Sequence, residues 1–302
     1  MEQMDREAFS PWLVVFKENT WWVQFPDGEE LEIDASLWEF AYEGQLICFD
    51  VAYIIMHGVP GESGEVQGLL EMCGLPYTTP GVLVSSLTMN KQLTKTLVAS
   101  IGIPVAKSLL YRASQTQISI DQAVEELGLP LFVKPNNGGS SLATFKVKSK
   151  TEMVEAIEKA FEVDHEVLAE GFLPGRELTM GLYTYQNNLI CLPPTEIVPH
   201  NEFFDYQAKY EGQSDEITPA DISAALSTQM EEYSKAIYAF LDIRGLVRMD
   251  YMLHPTEGLI FMEINTVPGF SEASIIPQQV RAAGQTETEV ISRLLWEALA
   301  QG

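Results

Sequence analysis

Two strings near the C-terminus hold the residue types best suited to chemistry: Arg248-Met249-Asp250-Tyr251-Met252-Leu253, and 259–265, which ends in Glu263-Ile264-Asn265. A four-residue hairpin loop over 255–258 would set His254 opposite Leu259, Asp250 opposite Glu263 and Arg248 opposite Asn265. Strand side chains alternate, so all four polar residues then share one face, with Met249, Tyr251, Met262 and Ile264 packed behind. Two carboxylates and an amide oxygen are hard ligands of the kind Mg2+ takes. The same residues would equally make a solvated strand face with a cross-strand salt bridge, and spacing alone leaves both readings open. A second string, Lys134-Pro135-Asn136-Asn137-Gly138-Gly139-Ser140-Ser141, offers backbone N–H groups and hydroxyls that could cradle phosphate beneath a lysine. An Asn-Gly turn between strands is the plainer alternative.

Lys91, Lys134, Lys209 and Arg248 each sit in or beside a candidate loop or face, and a nucleotide bound to so acidic a chain needs such a local reversal of charge. His57 ends an apolar run next to the loop His57-Gly58-Val59-Pro60-Gly61-Glu62-Ser63-Gly64, where it could orient a small carboxylate or amine. Neither G-x-x-x-x-G-K-[ST] nor G-x-G-x-x-G occurs, which counts against P-loop and dinucleotide readings. No G-x-S-x-G occurs, and Cys48, Cys73 and Cys191 have no evident activating partner, so hydrolase and thiol chemistry lack support.

The elements that must position these residues read as α/β. Short strands are expected at 12–16, 20–25 and 31–33, with a turn at Pro26-Asp27-Gly28, then a buried strand over 46–56 running into His57. Helices follow at 66–73 and 90–100. Beyond them come helix 119–127, strand 131–134, strand 143–147, helix 151–161 and strand 166–170. The polar stretch 199–219 shows little periodicity and reads as a lid or binding loop. Helix 222–241, strands 246–253 and 259–264, and helix 287–299 complete the chain. The implied units are an N-terminal α/β substrate domain over 1–89, a central unit over 90–174 and a C-terminal unit over 175–302.

Composition narrows the partners. Against 18 Lys and Arg stand 43 Asp and Glu, a formal charge of −25 that disfavours nucleic acid and anionic lipid. The longest apolar run is too short to span a bilayer, and the acidic start does not resemble a secretory signal. Three widely spaced cysteines without C-x-x-C fit a reducing cytoplasm.

From about Asp50 onward the motifs resemble one family. They are His57-Gly58-x-x-Gly61-Glu62-x-Gly64, Lys134-Pro135-x-x-Gly138-Gly139-Ser140-Ser141, Phe204-Asp205-Tyr206-x-Ala208-Lys209-Tyr210, Arg248-x-Asp250 and Glu263-x-Asn265-Thr266-x-Pro268-Gly269. In order and interval they resemble the D-alanine-D-alanine ligases. The resemblance implies an ATP-grasp fold with a partial Rossmann-like N-terminal domain, acting as a cytoplasmic homodimer that makes D-alanyl-D-alanine for peptidoglycan. It also implies ATP as co-substrate and two Mg2+ ions, or Mn2+, as cofactor. By position, Lys91, Lys134 and Ser141 would meet the ATP phosphates. Glu170 with the Gly171 and Leu173 backbone would hold adenine, and Glu177 the ribose. Asp250, Glu263 and Asn265 would hold the metal ions, while Arg248 and the Gly269 N–H would stabilise an oxyanion. His57 and Ser140 would place the first D-alanine, Ser274 and Ile275 would meet the carboxylate of the second, and Lys209 and Tyr210 would ride on the 199–219 lid. The resemblance at Tyr210 implies D-alanine rather than D-lactate as second substrate.

Three departures stand out. The family's opening strand and glycine-serine-glutamate stretch have no counterpart before Trp12, so a chain that starts late is expected, with a nucleotide-binding relative inactive as a ligase as the alternative. A ligase using D-lactate or D-serine is the other alternative. Ser63 stands where the family favours an acid, and Asn90 where it favours aspartate.

Overall fold

The computed structural model describes residues 2–114, 119–139, 143–199 and 214–301. Strands β1 (Leu13–Lys17), β2 (Thr20–Gln24) and β3 (Glu30–Glu32) form an antiparallel meander. The two-residue turn between the first two has φ of 50° at Glu18 and 60° at Asn19, the left-handed pair that such a tight hairpin needs. The turn expected at Pro26-Asp27-Gly28 lies between β2 and β3, with the Gly28 N–H donating to Phe25 O at 3.0 Å. A second hairpin, β4 (Glu39–Tyr42) and β5 (Gln45–Cys48), closes an aromatic cluster in which Trp12 meets Phe25, Phe40 and Tyr42 edge-on.

The expected buried strand over 46–56 does not form as one element. Its first residues pair as β5, with Leu46 62% exposed, and among the described residues the rest is paired only by a parallel bridge from Ala52 to Tyr77. Ile54 is buried but Ile55 is 55% exposed. An apolar run signals burial but not a partner strand, so here it is divided between a hairpin arm and an extended linker.

Helix α1 (Glu65–Cys73) ends at Gly74, whose φ of 68° lets its N–H turn back onto the last carbonyls. Helix α2 (Val82–Met89) is apolar without a clear stripe and was not anticipated, whereas α3 (Lys91–Ser100) falls within the expected 90–100 helix, with Asn90 as its N-cap. Next come β6 (Ser108–Arg112), α4 (Ile120–Leu127), β7 (Leu131–Pro135), β8 (Phe145–Val147), α5 (Lys150–Phe161) and β9 (Glu166–Gly171). They form an antiparallel sheet in the order β6-β9-β7-β8, with a core built from Val133, Val167, Ala123, Met153, Ala156 and Ile157.

The C-terminal part contains β10 (Arg176–Tyr185), β11 (Asn188–Cys191), β12 (Thr195–Pro199), β13 (Ser214–Ile217), α6 (Ala224–Phe240), β14 (Val247–His254), β15 (Gly258–Asn265), α7 (Ile275–Ala282) and α8 (Glu287–Gln301). Its main sheet runs β13-β12-β10-β14-β15, with β11 also paired to β10. Met230 and Ile237 of α6 join Leu178, Met180, Met249, Tyr251 and Phe261 in one core. Ile276 and Val280 of α7 join Val290 and Leu294 of α8 and Tyr183 in another. The two ends of the expected 199–219 loop are ordered as the end of β12 and as β13, and 200–213 lies outside the described residues. Among the described residues no helix is long and apolar enough to cross a membrane.

Candidate active site

The β14-β15 hairpin sets Arg248 opposite Asn265 and Asp250 opposite Glu263, as expected, but by a different turn. His254 pairs with Gly258 rather than Leu259. The His254 ring accepts from the Glu257 N–H at 3.1 Å and Gly258 takes φ +79°, which tightens the loop by one residue. A β-bulge between the Asp250 and Tyr251 pairings makes up the difference. Met262 is therefore the extra residue, and Phe261 occupies the place expected of it, 5.8 Å from the Tyr251 ring and edge-on.

Strand β10 flanks this hairpin, with Thr179 opposite Asp250 and Gly181 opposite Arg248. Asp250 is buried and its carboxylate is fully engaged. Oδ1 accepts from Thr179 Oγ1 at 2.6 Å and Arg248 Nε at 2.9 Å; Oδ2 accepts from Arg248 Nη2 and Asn265 Nδ2, both at 2.8 Å. Burial alone would lower the pKa of Arg248, but the Asp250 carboxylate, with Glu263 and Glu177 nearby, more than offsets this and raises it, so the guanidinium stays charged. The ion pair lies within β14 and is buried, so the solvated face with a cross-strand salt bridge is not what forms. Among the described residues no group of three or more His, Cys, Asp or Glu gathers as a metal cluster. The two carboxylates with the Asn265 amide oxygen still match the donor chemistry of Mg2+, which keeps water and substrate oxygens in its remaining positions.

On the β6-β9-β7-β8 sheet, Lys134 on β7 donates to Glu170 Oε1 at 2.6 Å, and Lys95 on α3 donates to Oε2 of the same carboxylate. Burial would raise the Glu170 pKa, but Lys134 and Lys95 together bring it down to about 2. The loop after β7 is laced to the start of α3. The Lys91 N–H donates to Asn136 O at 3.0 Å, the Gln92 N–H to Asn136 Oδ1 at 2.9 Å, and Lys91 Nζ to Gly138 O. Asn90 caps α3 through Oδ1, and its Nδ2 donates to Asn137 Oδ1 at 2.9 Å and Glu166 Oε2 at 3.2 Å. An aspartate there would lack those two donors, which accounts for this departure. Gly171 ends β9, its N–H donating to Lys107 O at 3.0 Å, and Leu173 follows in the link to β10. Glu177 lies two residues from Thr179 on β10, on the side of the sheet that carries Asp250.

The third edge joins the His57 loop to the segment after β15. His57 Nδ1 lies 2.7 Å from Val267 O; a carbonyl only accepts, so Nδ1 carries the proton and Nε2 is left for another partner. Glu62 bonds the Gly58 N–H at 2.7 Å and the Val267 N–H at 3.1 Å. Gly61 passes so close to Met56 O that a Cβ would overlap it. Gly269 faces Ser274, where a Cβ would stand 2.9 Å from Oγ. Ser274 precedes α7 and Ile275 begins it, and α7 lies over the sheet beside Gly181, where a Cβ would fall 2.6 Å from Ile276 Cδ1.

A family model described as D-ala D-ala ligase C-terminus matches residues 97–296. A D-alanine--D-alanine ligase of Bacteroides fragilis is 41% identical over 292 residues, covering 97% of this chain and 90% of that protein. The chain belongs to the D-alanine-D-alanine ligase family. D-alanyl-alanine synthetase A of Vibrio cholerae superposes at a TM-score of 0.87 with 25% identity, covering 99% of this chain and 91% of that one. A D-Ala:D-Ser ligase of Enterococcus faecalis gives 0.84 with 28% identity, covering 98% and 92%. The fold is ATP-grasp.

In this D-alanine-D-alanine ligase family member the expected residues fall on three parts of the fold. Arg248, Asp250, Glu263, Asn265 and Glu177 lie on the β10-β14-β15 sheet; Lys91, Lys134 and Glu170 lie on α3 and the β7-β9 sheet; His57, Gly269, Ser274 and Ile275 lie around the end of β15. Ser140, Ser141, Lys209 and Tyr210 lie outside the described residues. Sequence reasoning missed Thr179, Lys95 and the role of Glu62, because each acts through a contact 71, 75 or 205 residues away. Only Glu62 left a signal, as part of the His57 loop motif.

Proposed function

We propose that this protein is an ATP-dependent carboxylate-amine ligase that joins two D-alanines into D-alanyl-D-alanine for peptidoglycan. The observation that carries the reading is near full-length identity of 41% to a D-alanine--D-alanine ligase together with an unbroken Arg248, Asp250, Glu263 and Asn265 face. ATP lies between the 90–174 and 175–302 units, and D-alanine beside the 1–89 unit. Lys91 and Lys134, with Ser141 and Lys209, meet the phosphates; Glu170, Gly171 and Leu173 meet adenine, and Glu177 the ribose.

The chemistry follows from the groups present. A carboxylate acylates poorly, so its conversion to an acyl phosphate by ATP makes attack by a second amine feasible. Asp250, Glu263 and Asn265 would hold Mg2+, which when bound neutralises charge on the transferred phosphoryl group. Arg248, kept charged and fixed in direction by Asp250, and the Gly269 N–H are preorganised donors for the tetrahedral oxyanion. His57, tethered to Val267 O, and Ser140 orient the first D-alanine. Ser274 and Ile275 present the start of α7 to the carboxylate of the second, where backbone N–H groups favour an anion. Tyr210 closes the site to water. A cytoplasmic homodimer is part of the same proposal.

The test is phosphate release from Mg-ATP by the purified chain with D-alanine, L-alanine, D-serine, D-lactate plus D-alanine, or nothing added. Release that needs D-alanine and yields the dipeptide is expected. Nucleotide binding without D-alanine-dependent release would overturn the ligase reading.

A further inference from the structure

The Lys95-Glu170-Lys134 cluster places one carboxylate between two ammonium groups. The side chains of Lys95 and Glu170 are 3% and 4% exposed, whereas that of Lys134 is 16% exposed. Glu170 is the hydrogen-bond partner of Lys95 among the described residues, and burial has already lowered the Lys95 pKa, with Glu170 opposing that shift. Lys95 therefore has nowhere else to send its charge, and Lys134 is the member of the cluster able to turn outward. We propose that Lys95 is a positioning residue, the permanent counter-ion of Glu170, whose charge lets Lys134 leave that carboxylate for the phosphates of a bound nucleotide; this rests on the ATP reading above.

The argument is one of charge accounting at a buried site. With Lys95 present, departure of Lys134 leaves a neutral ion pair behind. Without it, departure of Lys134 strands an ionised carboxylate in the interior, which is strongly disfavoured. Lys134 would then remain locked on Glu170, 2.6 Å away, and the phosphates would lose a cation. Glu170 meets the adenine of ATP and of adenosine alike, so the loss of a cation at the phosphates shows as a lower preference for ATP over adenosine. That separates it from a merely structural role, in which loss of Lys95 would loosen the whole nucleotide site.

The experiment measures dissociation constants for ATP and for adenosine by calorimetry on the full chain, in wild type, Lys95→Met, Glu170→Gln and Lys95→Met/Glu170→Gln. Lys95→Met is expected to cut the preference for ATP over adenosine by roughly tenfold, the cost of failing to recruit one cation. The double variant is expected to restore it to within about threefold of wild type, because Lys134 no longer faces a charge it must leave. Equal loss of both affinities in Lys95→Met, an unchanged preference, or failure of the double variant to restore it would overturn the proposal. Should Lys95→Met not fold, the comparison is Glu170→Gln against the double variant. There the charge on Lys95 is expected no longer to matter, and a further tenfold loss of preference would overturn the proposal. Wild type that binds neither ligand would instead remove the ATP reading itself.

Discussion

Glu62 and Val267 are joined by a hydrogen bond of 3.1 Å across 205 residues of chain. The other carboxylate oxygen of Glu62 takes the Gly58 N–H, so one side chain fastens the loop that carries His57 to the segment that follows Asn265. An amide has only one acceptor oxygen and cannot serve both donors. Glu62→Gln is expected to lower stability by about 1–3 kcal/mol, the cost of leaving one inward-facing N–H unpaired. With the His57 loop released, the KM for D-alanine is expected to rise more than that for ATP. Chemical denaturation and initial-rate kinetics check both parts.

Thr179 supplies one of the donors that hold Asp250. Replacement by valine keeps the shape and removes the hydroxyl. Thr179→Val is expected to cost about 1–3 kcal/mol in stability and to lower kcat, since Arg248 is then held by a less firmly placed carboxylate. Thermal unfolding with steady-state rates provides the check, and Thr179→Ser is expected to recover most of both.

Asn90 touches Glu166 through its amide donor at 3.2 Å. Asn90→Asp would keep the cap on Leu93 but set two carboxylates in contact. A loss of about 1–3 kcal/mol is expected at neutral pH, shrinking as the pH falls into the carboxylate range. Melting temperatures of both proteins across that range measure it.

Glu170 makes the fold sensitive to acid. Its pKa falls from the ordinary 4.5 to about 2, so the folded state binds its proton less readily than the unfolded chain. The resulting stabilisation is fully present above about 4.5 and is lost as the pH drops toward 2, roughly 3 kcal/mol in all. Glu166, lowered despite its burial by Arg112, Asn136 and Asn90, adds in the same direction, while Glu216, raised by burial, opposes it. Glu170→Gln is expected to flatten the acid limb of the stability curve, measured by denaturant titration at several pH values.

Local pattern disclosed much of this molecule. Helix α3 was legible because Gly102 and Pro104 end a stretch that starts near Asn90, and the Arg248, Asp250, Glu263 and Asn265 face because period-two spacing fixes which side chains share a side. Helix α2 was not, since Val82, Leu83, Val84 and Leu87 give no stripe to read. The 46–56 run misled because burial and strand pairing are different events: Leu46 and Ile55 remain in solvent though their neighbours Phe49 and Ile54 pack inward. Lys95, on the second turn of a well-formed helix, carries no local signal that sets it apart. Its burial depends on Glu170 arriving from β9, which no window of local sequence contains.

The bulge at Met262 divides the β14-β15 hairpin into two mechanically separate halves. The tip, from His254 to Gly258, is in one register and the polar face in another, so the spacing of Asp250 and Glu263 does not inherit the geometry of the loop. A one-residue change at the tip can be absorbed where the strands already slip. The hairpin end is therefore a place where length variation and peptide insertion are tolerable, whereas removal of Met262 itself would leave a regular ladder, with Glu263 still opposite Asp250 but the slip that absorbs a change at the tip gone.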